Sequence, residues 1–284
     1  MDTKKIILLV ILAVILIALI IWVIWSNKAL QLNGYTITST RLPESFDGYR
    51  IAHISDLHNV KMGKNNKKLL DMLREAEPDI IAITGDLIDS RRTNVDIALE
   101  FAEEAVKIAP CYFVPGNHES RVGEYPELKK GLIAAGVTVL ENDSAQITIN
   151  GESITLMGVQ DPSFQTDYLQ GDSEGIIQES LDKLSTDGDE FALLLSHRPE
   201  LFDIYANYGV DLVLTGHAHG GQVRIPWLGG VVAPNQGLFP KYDGGIYTQG
   251  DTSMLVSRGI GNSAFPFRVN NRPEVLLIEL KSDK

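Results

Sequence analysis

Five short runs in this sequence place carboxylates, a carboxamide and imidazoles directly after apolar, strand-like segments. They are Asp56-Leu57-His58, Gly85-Asp86-Leu87-Ile88-Asp89, Gly116-Asn117-His118-Glu119, the isolated His197, and Gly216-His217-Ala218-His219. Such oxygen and nitrogen donors suit borderline or hard divalent ions, manganese, iron, zinc or cobalt. The single cysteine, Cys111, excludes a thiolate cluster and an intramolecular disulfide, and its apolar neighbours in 110–114 mark it as a small buried hydrophobe. Two Asp, one Asn and four His exceed what one ion takes from protein while keeping an open catalytic position. A bridging carboxylate would let them serve two ions about 3.5–4 Å apart, the spacing that clamps both the attacking and the leaving oxygen of a phosphoryl displacement. Each run alone is a weak signal, but the five together hold five of the six histidines. His53 falls inside its strand and is expected to be a packed or supporting residue. Gly85, Gly116 and Gly216 precede their polar residues, where a missing side chain lets the chain turn sharply and leaves room beside an ion.

Ligands gather at the carboxyl ends of strands in open α/β sheets, so these clusters need a sheet beneath them. Strands are expected at 35–40, 50–55, 79–84, 111–114, 146–150, 153–159, 191–196, 211–215, 253–257 and 274–280. Helices are expected between them at 64–77, 95–108, 124–135, 175–184 and 199–208, each with apolar residues spaced by three and four. The alternation in the first half implies right-handed crossovers and largely parallel pairing, whereas Asn150-Gly151 signals a hairpin. A short polar linker is expected at 31–34, and the whole reads as one α/β domain, 29–284, whose sheets pack on each other with helices outside.

Ile6 to Trp25 is an unbroken apolar stretch of 20 residues, and a helix of that length crosses the roughly 30 Å hydrocarbon layer. Bulky residues run into Ser26-Asn27-Lys28 without a small-residue cleavage site, which favours an uncleaved membrane anchor, 1–28, over a signal peptide. Trp22 and Trp25 suit the aromatic belt of an interface. Lys4 and Lys5 on one side against Lys28 on the other place the N-terminus in the cytoplasm and the catalytic domain outside it. The net charge of −12 argues against general binding to nucleic acid or to anionic lipid surfaces. No obligate protein partner is evident.

Taken in order, the five runs closely resemble the calcineurin-like metallophosphoesterase superfamily over about residues 50–220. The resemblance implies a four-layer metallophosphoesterase-type β-sandwich flanked by helices. It implies that Asp56, His58, Asp86 and His219 hold one divalent ion, and that Asp86, Asn117, His197 and His217 hold a second. His118 would contact the phosphate or protonate the leaving oxygen, and Asp89 would orient it. His217-Ala218-His219-Gly220-Gly221-Gln222, the leading anchor, Ser257-Arg258-Gly259 and Pro266-Phe267-Arg268 resemble a bacterial subgroup of membrane-associated phosphodiesterases. Where the superfamily's protein serine/threonine phosphatases carry Arg-Gly after the second Asp, this chain has Ser90-Arg91, which argues against a phosphoprotein substrate.

The expected activity is hydrolysis of a phosphodiester or pyrophosphate linkage in an envelope or lipid-linked substrate. The alternatives are a phosphomonoesterase of a soluble substrate and a non-catalytic metal-binding envelope protein. A metallo-β-lactamase type would need a compact His-x-His-x-Asp-His cluster, which the sequence lacks. Arg258 and Arg268 are candidate phosphate contacts, since a guanidinium matches phosphate with a bidentate fork. Trp227, in the Gly/Pro-punctuated apolar loop 226–241, is either core-packed or part of a hydrophobic rim for a lipid-linked substrate.

Overall fold

The computed structural model describes residues 2–166, 171–184, 190–262 and 265–284. The N-terminal helix α1 (Thr3–Lys28) leads into β1 (Gln31–Ser39). Then come β2 (Arg50–Ile54), α2 (Lys67–Ala76), β3 (Ile80–Thr84), α3 (Val95–Ala105), β4 (Cys111–Val114), α4 (Tyr125–Ala135) and β5 (Thr138–Val139). The hairpin β6 (Asp143–Ile149) and β7 (Glu152–Gly158) precedes α5 (Ser173–Leu184), β8 (Ala192–Leu195), α6 (Phe202–Ala206) and β9 (Leu212–Thr215). Two small ribbons pair β10 (Arg224–Ile225) with β11 (Gly229–Gly230) and β12 (Val232–Ala233) with β13 (Gly237–Leu238). The chain ends with β14 (Gly245–Gln249), β15 (Thr252–Val256) and β16 (Glu274–Ser282).

Two six-stranded sheets result, ordered β1-β16-β2-β3-β4-β5 and β14-β15-β9-β8-β7-β6. The strands that end in polar clusters pair in parallel, β2 to β3 to β4 in one sheet and β8 to β9 in the other. Side-chain alternation with period two then divides each strand between two environments. Ile51, Ile80 and Ala82 of the first sheet meet Leu156, Leu193, Leu195 and Leu214 of the second between the layers. Their neighbours Ala52, Ile54, Ile81 and Ile83 turn outward onto Leu69 and Leu73 of α2, Phe101 of α3 and Leu128 of α4. On the far side Leu194, Val213 and Met254 pack under Leu181 of α5 and Phe202 and Tyr205 of α6. The order is helix, sheet, sheet, helix, the expected four layers.

Several boundaries differ from the expected ones for local reasons. Residues 31–34 are not a linker but the start of β1, which pairs with β16 in parallel; Gln31 and Asn33 donate side-chain hydrogen bonds to Glu274 Oε2, a partnership invisible to a polarity count. The helix expected from residue 64 opens as a 3₁₀ turn because Asn65 and Asn66 take left-handed backbones. Asn150 and Gly151, at φ 52° and 86°, form the hairpin turn that their sequence signals. Strand β14 lacks an expected counterpart, since its exposed, glycine-led sequence carries little apolar signal.

Helix α1 stands apart from these layers. Its apolar side chains from Ile6 to Ile21 are exposed, and it is long and apolar enough to cross a membrane.

Leu214 lies wholly buried between the sheets. Leu214→Ala is expected to cost about 2–5 kcal/mol through lost contacts and a residual cavity, read as a lower thermal midpoint of the detergent-solubilised chain with the same circular-dichroism spectrum.

Candidate metal centre

The five polar clusters follow the carboxyl ends of β2, β3, β4, β8 and β9 and meet at the edge where the two sheets face each other. The chain turns sharply there to aim side chains back over the strand ends. Asp56, His58, Asp86, His217 and His219 all have positive φ, between 46° and 64°, a left-handed conformation that persists only where surrounding contacts over-determine it. Glycines make the approach possible. A Cβ on Gly85 would fall 2.6 Å from Gly116 Cα, and one on Gly116 would fall 2.4 Å from Asp86 Oδ1, so neither site accepts another residue.

The donor atoms form two groups sharing one oxygen. In the first, His219 Nε2 lies 3.3 Å and His58 Nε2 3.6 Å from Asp56 Oδ1, and the two nitrogens are 3.2 Å apart. In the second, His197 Nε2 is 3.2 Å from Asn117 Oδ1, from His217 Nδ1 and from Asp86 Oδ2. Asp86 Oδ2 also stands 3.6 Å from His58 Nε2. Every one of these residues is buried, with at most 4% of its surface exposed.

This arrangement fits a pair of divalent ions. Donors that bind an ion at about 2.1 Å stand roughly 3.0–3.4 Å from one another, close to the separations here. Asp56 Oδ1 is buried without a hydrogen-bond partner, a situation that leaves a carboxylate oxygen uncompensated unless a cation faces it. The other oxygens are held by backbone: the His217 N–H donates to Asp56 Oδ2 at 3.0 Å and the His118 N–H to Asp86 Oδ1 at 2.8 Å.

Outer contacts fix which nitrogen is free. His197 Nδ1 meets the Thr84 carbonyl at 2.7 Å, and since a carbonyl only accepts, Nδ1 carries a proton and Nε2 is the nitrogen left to face inward, its lone pair free for an ion once the second ring proton is lost. His217 is reversed: its Nε2 meets Asn235 Oδ1 at 2.9 Å, leaving Nδ1 to the centre. His53 is a packed residue, its Nε2 2.7 Å from Thr84 Oγ1, so it braces the same threonine that holds His197. Glu119 is a buried hub whose carboxylate accepts the N–H groups of Asp86, Gly116 and Ile88.

The "Calcineurin-like phosphoesterase" family profile matches residues 49–221, which span all five clusters. The chain belongs to the calcineurin-like phosphoesterase family. Similar chains include YkuE of Bacillus subtilis, an uncharacterized metallophosphoesterase that is 30% identical over 89% of this chain and 86% of its own length. Phosphodiesterase YaeI of Escherichia coli is 29% identical over 72% of each chain. The solved structure of TT1561 from Thermus thermophilus superposes with a TM-score of 0.53 at 13% identity, covering 75% of this chain and 90% of that one, a likeness of fold. Members of the family are metal-dependent hydrolases with dinuclear centres, and the buried Asp/His groups of this phosphoesterase supply donors for one.

Not every expected residue lies where the sequence suggested. His118 lines the centre, its Nε2 3.9 Å from Asp86 Oδ2, but its Nδ1 accepts the Ser90 N–H at 3.0 Å. Asp89 is 3.7 Å from that nitrogen and forms instead a two-point pair with Arg91, both bonds at 3.0 Å. Ser90, not Asp89, is therefore the group bonded to His118. Arg268 is fully buried and turned away from any phosphate: Nε donates to Asn262 Oδ1, Nη1 to the Arg258 carbonyl and Nη2 to the Gly261 carbonyl. Arg258 pairs with Glu274, Nε to Oε2 at 3.4 Å. Trp227 is wholly exposed at the tip of the β10–β11 ribbon, and Leu228, Leu238 and Phe239 are exposed with it, so the 226–241 loop is not core-packed at these positions. Asn235 and Ser90 escaped the sequence reading because a lone Asn in an apolar loop and a Ser between Asp and Arg carry no spacing signal.

Charge within the cluster is set by burial and by the carboxylates. Burial alone would push His197 down, yet the Asp86 carboxylate beside it, aided by Asp56 and Asp161, raises it to about 10. Burial wins elsewhere, taking His217 to about 3 and His118 to about 4, both neutral at pH 7. Burial also lifts Glu119 to about 7, the Asp86 charge adding to it against three backbone hydrogen bonds. Without an ion, His197 keeps its proton up to about pH 10, so an ion must displace it. Divalent-ion affinity is thus expected to rise with pH by up to about tenfold per unit for each proton displaced. Manganese titrations at successive pH values, with proton release recorded, check this; affinity constant across the neutral range would contradict it.

Proposed function

We propose that this phosphoesterase cuts a phosphodiester or pyrophosphate linkage in an envelope or lipid-linked substrate. One ion would sit on Asp56, His58, Asp86 and His219, the other on Asp86, Asn117, His197 and His217. The observation that carries this reading is the shared oxygen: Asp86 Oδ2 lies 3.6 Å from His58 Nε2 and 3.2 Å from His197 Nε2, between the two donor groups. When bound, such a pair of ions lowers the pKa of a water and neutralises charge on the phosphate oxygens.

The chain's own residues do the rest. Because Ser90 N–H occupies His118 Nδ1, the neutral ring carries its proton on Nε2, on the side of Asp86 Oδ2. From there it donates to a phosphate oxygen or to the leaving oxygen, the part of a general acid. Asp89 acts one step back: it accepts the Arg91 N–H and pairs with the Arg91 guanidinium, shaping the turn that presents Ser90. Asn235 holds the His217 tautomer, as groups behind metal ligands commonly do. The name of the Escherichia coli relative, a phosphodiesterase, supports the diester preference.

Residues 1–28 form the anchor and 29–284 the catalytic domain of a single-pass membrane protein, with that domain extracytoplasmic as the Lys4–Lys5 excess directs. The apolar residues exposed around Trp227, Leu238 and Phe239 support a lipid-linked substrate, since a patch of this kind marks a surface meant for contact.

His118→Gln should lower turnover of a chromogenic phosphodiester by about 10²–10⁴-fold while leaving the metal content intact. Loss of an ion instead would make His118 a ligand rather than an acid. Asn235→Ala should weaken ion binding by about 10–100-fold, measured by metal titration. Turnover of a lipid-linked diester against a soluble diester and a monoester settles the substrate class; a preference for the soluble monoester would overturn it.

A further inference from the structure

The end of α1 is built into the domain rather than trailing from it. Asn27, in its last turn, brackets one residue of a distant loop: its Nδ2 donates to the Arg268 carbonyl at 2.9 Å and its Oδ1 accepts the Arg268 N–H at 2.8 Å. Asn262 Nδ2 donates to the same Oδ1 at 3.0 Å. Arg272 Nε donates to the Ala29 carbonyl at 2.8 Å, Nη2 to the Leu30 carbonyl at 3.2 Å, and its guanidinium lies 4.8 Å from the centre of the Trp25 ring. A helix held at so many points sets the attitude of the whole domain to whatever the helix crosses.

That clamp places two further apolar elements beside the helix end. Phe265 and Phe267 immediately precede the clamped Arg268; they are 39% and 41% exposed and their rings are 4.6 Å apart. The β10–β11 ribbon is tied to the same segment, Arg224 N–H to the Val269 carbonyl at 3.0 Å and Asn270 Nδ2 to the Arg224 carbonyl at 3.2 Å. Its outer residues Ile225, Trp227 and Leu228 are exposed, Trp227 completely. On their inner side the same segments hold the metal centre: Gly261 N–H donates to the Asp56 carbonyl at 2.7 Å, and Asn271 Nδ2 to the His219 carbonyl at 2.7 Å.

We infer that the ribbon tip and the Phe265–Phe267 loop form a bilayer-docking surface, buried in the boundary between headgroups and acyl chains beside the end of α1. The inference deepens the membrane reading above and rests on α1 spanning the bilayer. The occupant is lipid because the surface is continuous with an exposed apolar helix that ends at the same clamp. Large aromatic side chains are the ones favoured at that depth. The drive is apolar and aromatic insertion, so zwitterionic lipid suffices, in keeping with a chain of net charge −12. Substrate then reaches the metal centre from the headgroup layer, at the depth where a lipid's phosphate lies.

The chain's three tryptophans, Trp22, Trp25 and Trp227, allow a test in the intact protein. Trp22→Phe/Trp25→Phe leaves the ribbon reporter alone and Trp227→Phe leaves the helix pair, each reconstituted in phosphatidylcholine vesicles with brominated acyl chains. Docking predicts that Trp227 emission shifts to the blue and is quenched by the brominated chains, with loss of quenching by aqueous acrylamide. Quenched helix tryptophans beside a Trp227 that emits as in water would overturn the docking surface. Unquenched helix tryptophans would overturn the span itself. Asn27→Ala should release Trp227 from the brominated lipid and leave the helix pair quenched.

Discussion

Asp86 is buried among imidazoles, one carboxylate oxygen fixed by a backbone N–H and the other shared between two sets of donors. A charged group so placed, with Asp56 unpartnered at Oδ1 nearby, is costly to bury unless positive charge lies against it. Without ions, a proton on His197 supplies part of that charge. Much of the architecture follows from satisfying this cluster. Two parallel strand sets must end at one edge, their turns must take left-handed conformations to aim the donors inward, and glycines must stand where those turns nearly touch.

The position of the centre was legible in the sequence because its supporting strands are buried on both faces and so read as continuous apolar runs. Each donor cluster begins where such a run stops, as at Ile54 before Ser55-Asp56 or Leu195 before Ser196-His197. The four layers were legible for the same reason, through helices whose apolar stripe needs a sheet. What the sequence concealed is contact between residues far apart along the chain. Arg268 reads as a phosphate ligand by residue type, yet its guanidinium closes on the carbonyls of Arg258 and Gly261. Asp89 reads as the partner of His118, but two residues on Arg91 competes for it, and Ser90 takes the imidazole. Residues 31–34 read as a linker because their strand partner lies at the other end of the chain.

The surroundings of the donors are as constrained as the donors themselves. Thr84 joins three residues, its carbonyl accepting from His197 and Ser55 and its hydroxyl meeting His53. Glu119 gathers three backbone N–H groups from the turns that carry Asp86 and Gly116. These are backbone-directed contacts, so the cluster is held by the shape of its turns more than by its side chains touching one another. Loops on the outside attach to this frame by single polar residues, Asn235 to His217 and Asn271 to the His219 carbonyl.

The last strand, β16, lies between β1 and β2, parallel to the first and antiparallel to the second. Strand β1 directly follows α1, so strands far apart in the sequence meet in adjacent positions of one sheet. During synthesis this wedge is made after every donor. Until then β1 has no neighbour, β2 has a bare edge, and Glu274, which ties β1 and the Arg258 backbone together, is absent. The wall beside Asp56 therefore closes only once β16 has been made, after the strands that carry the donors.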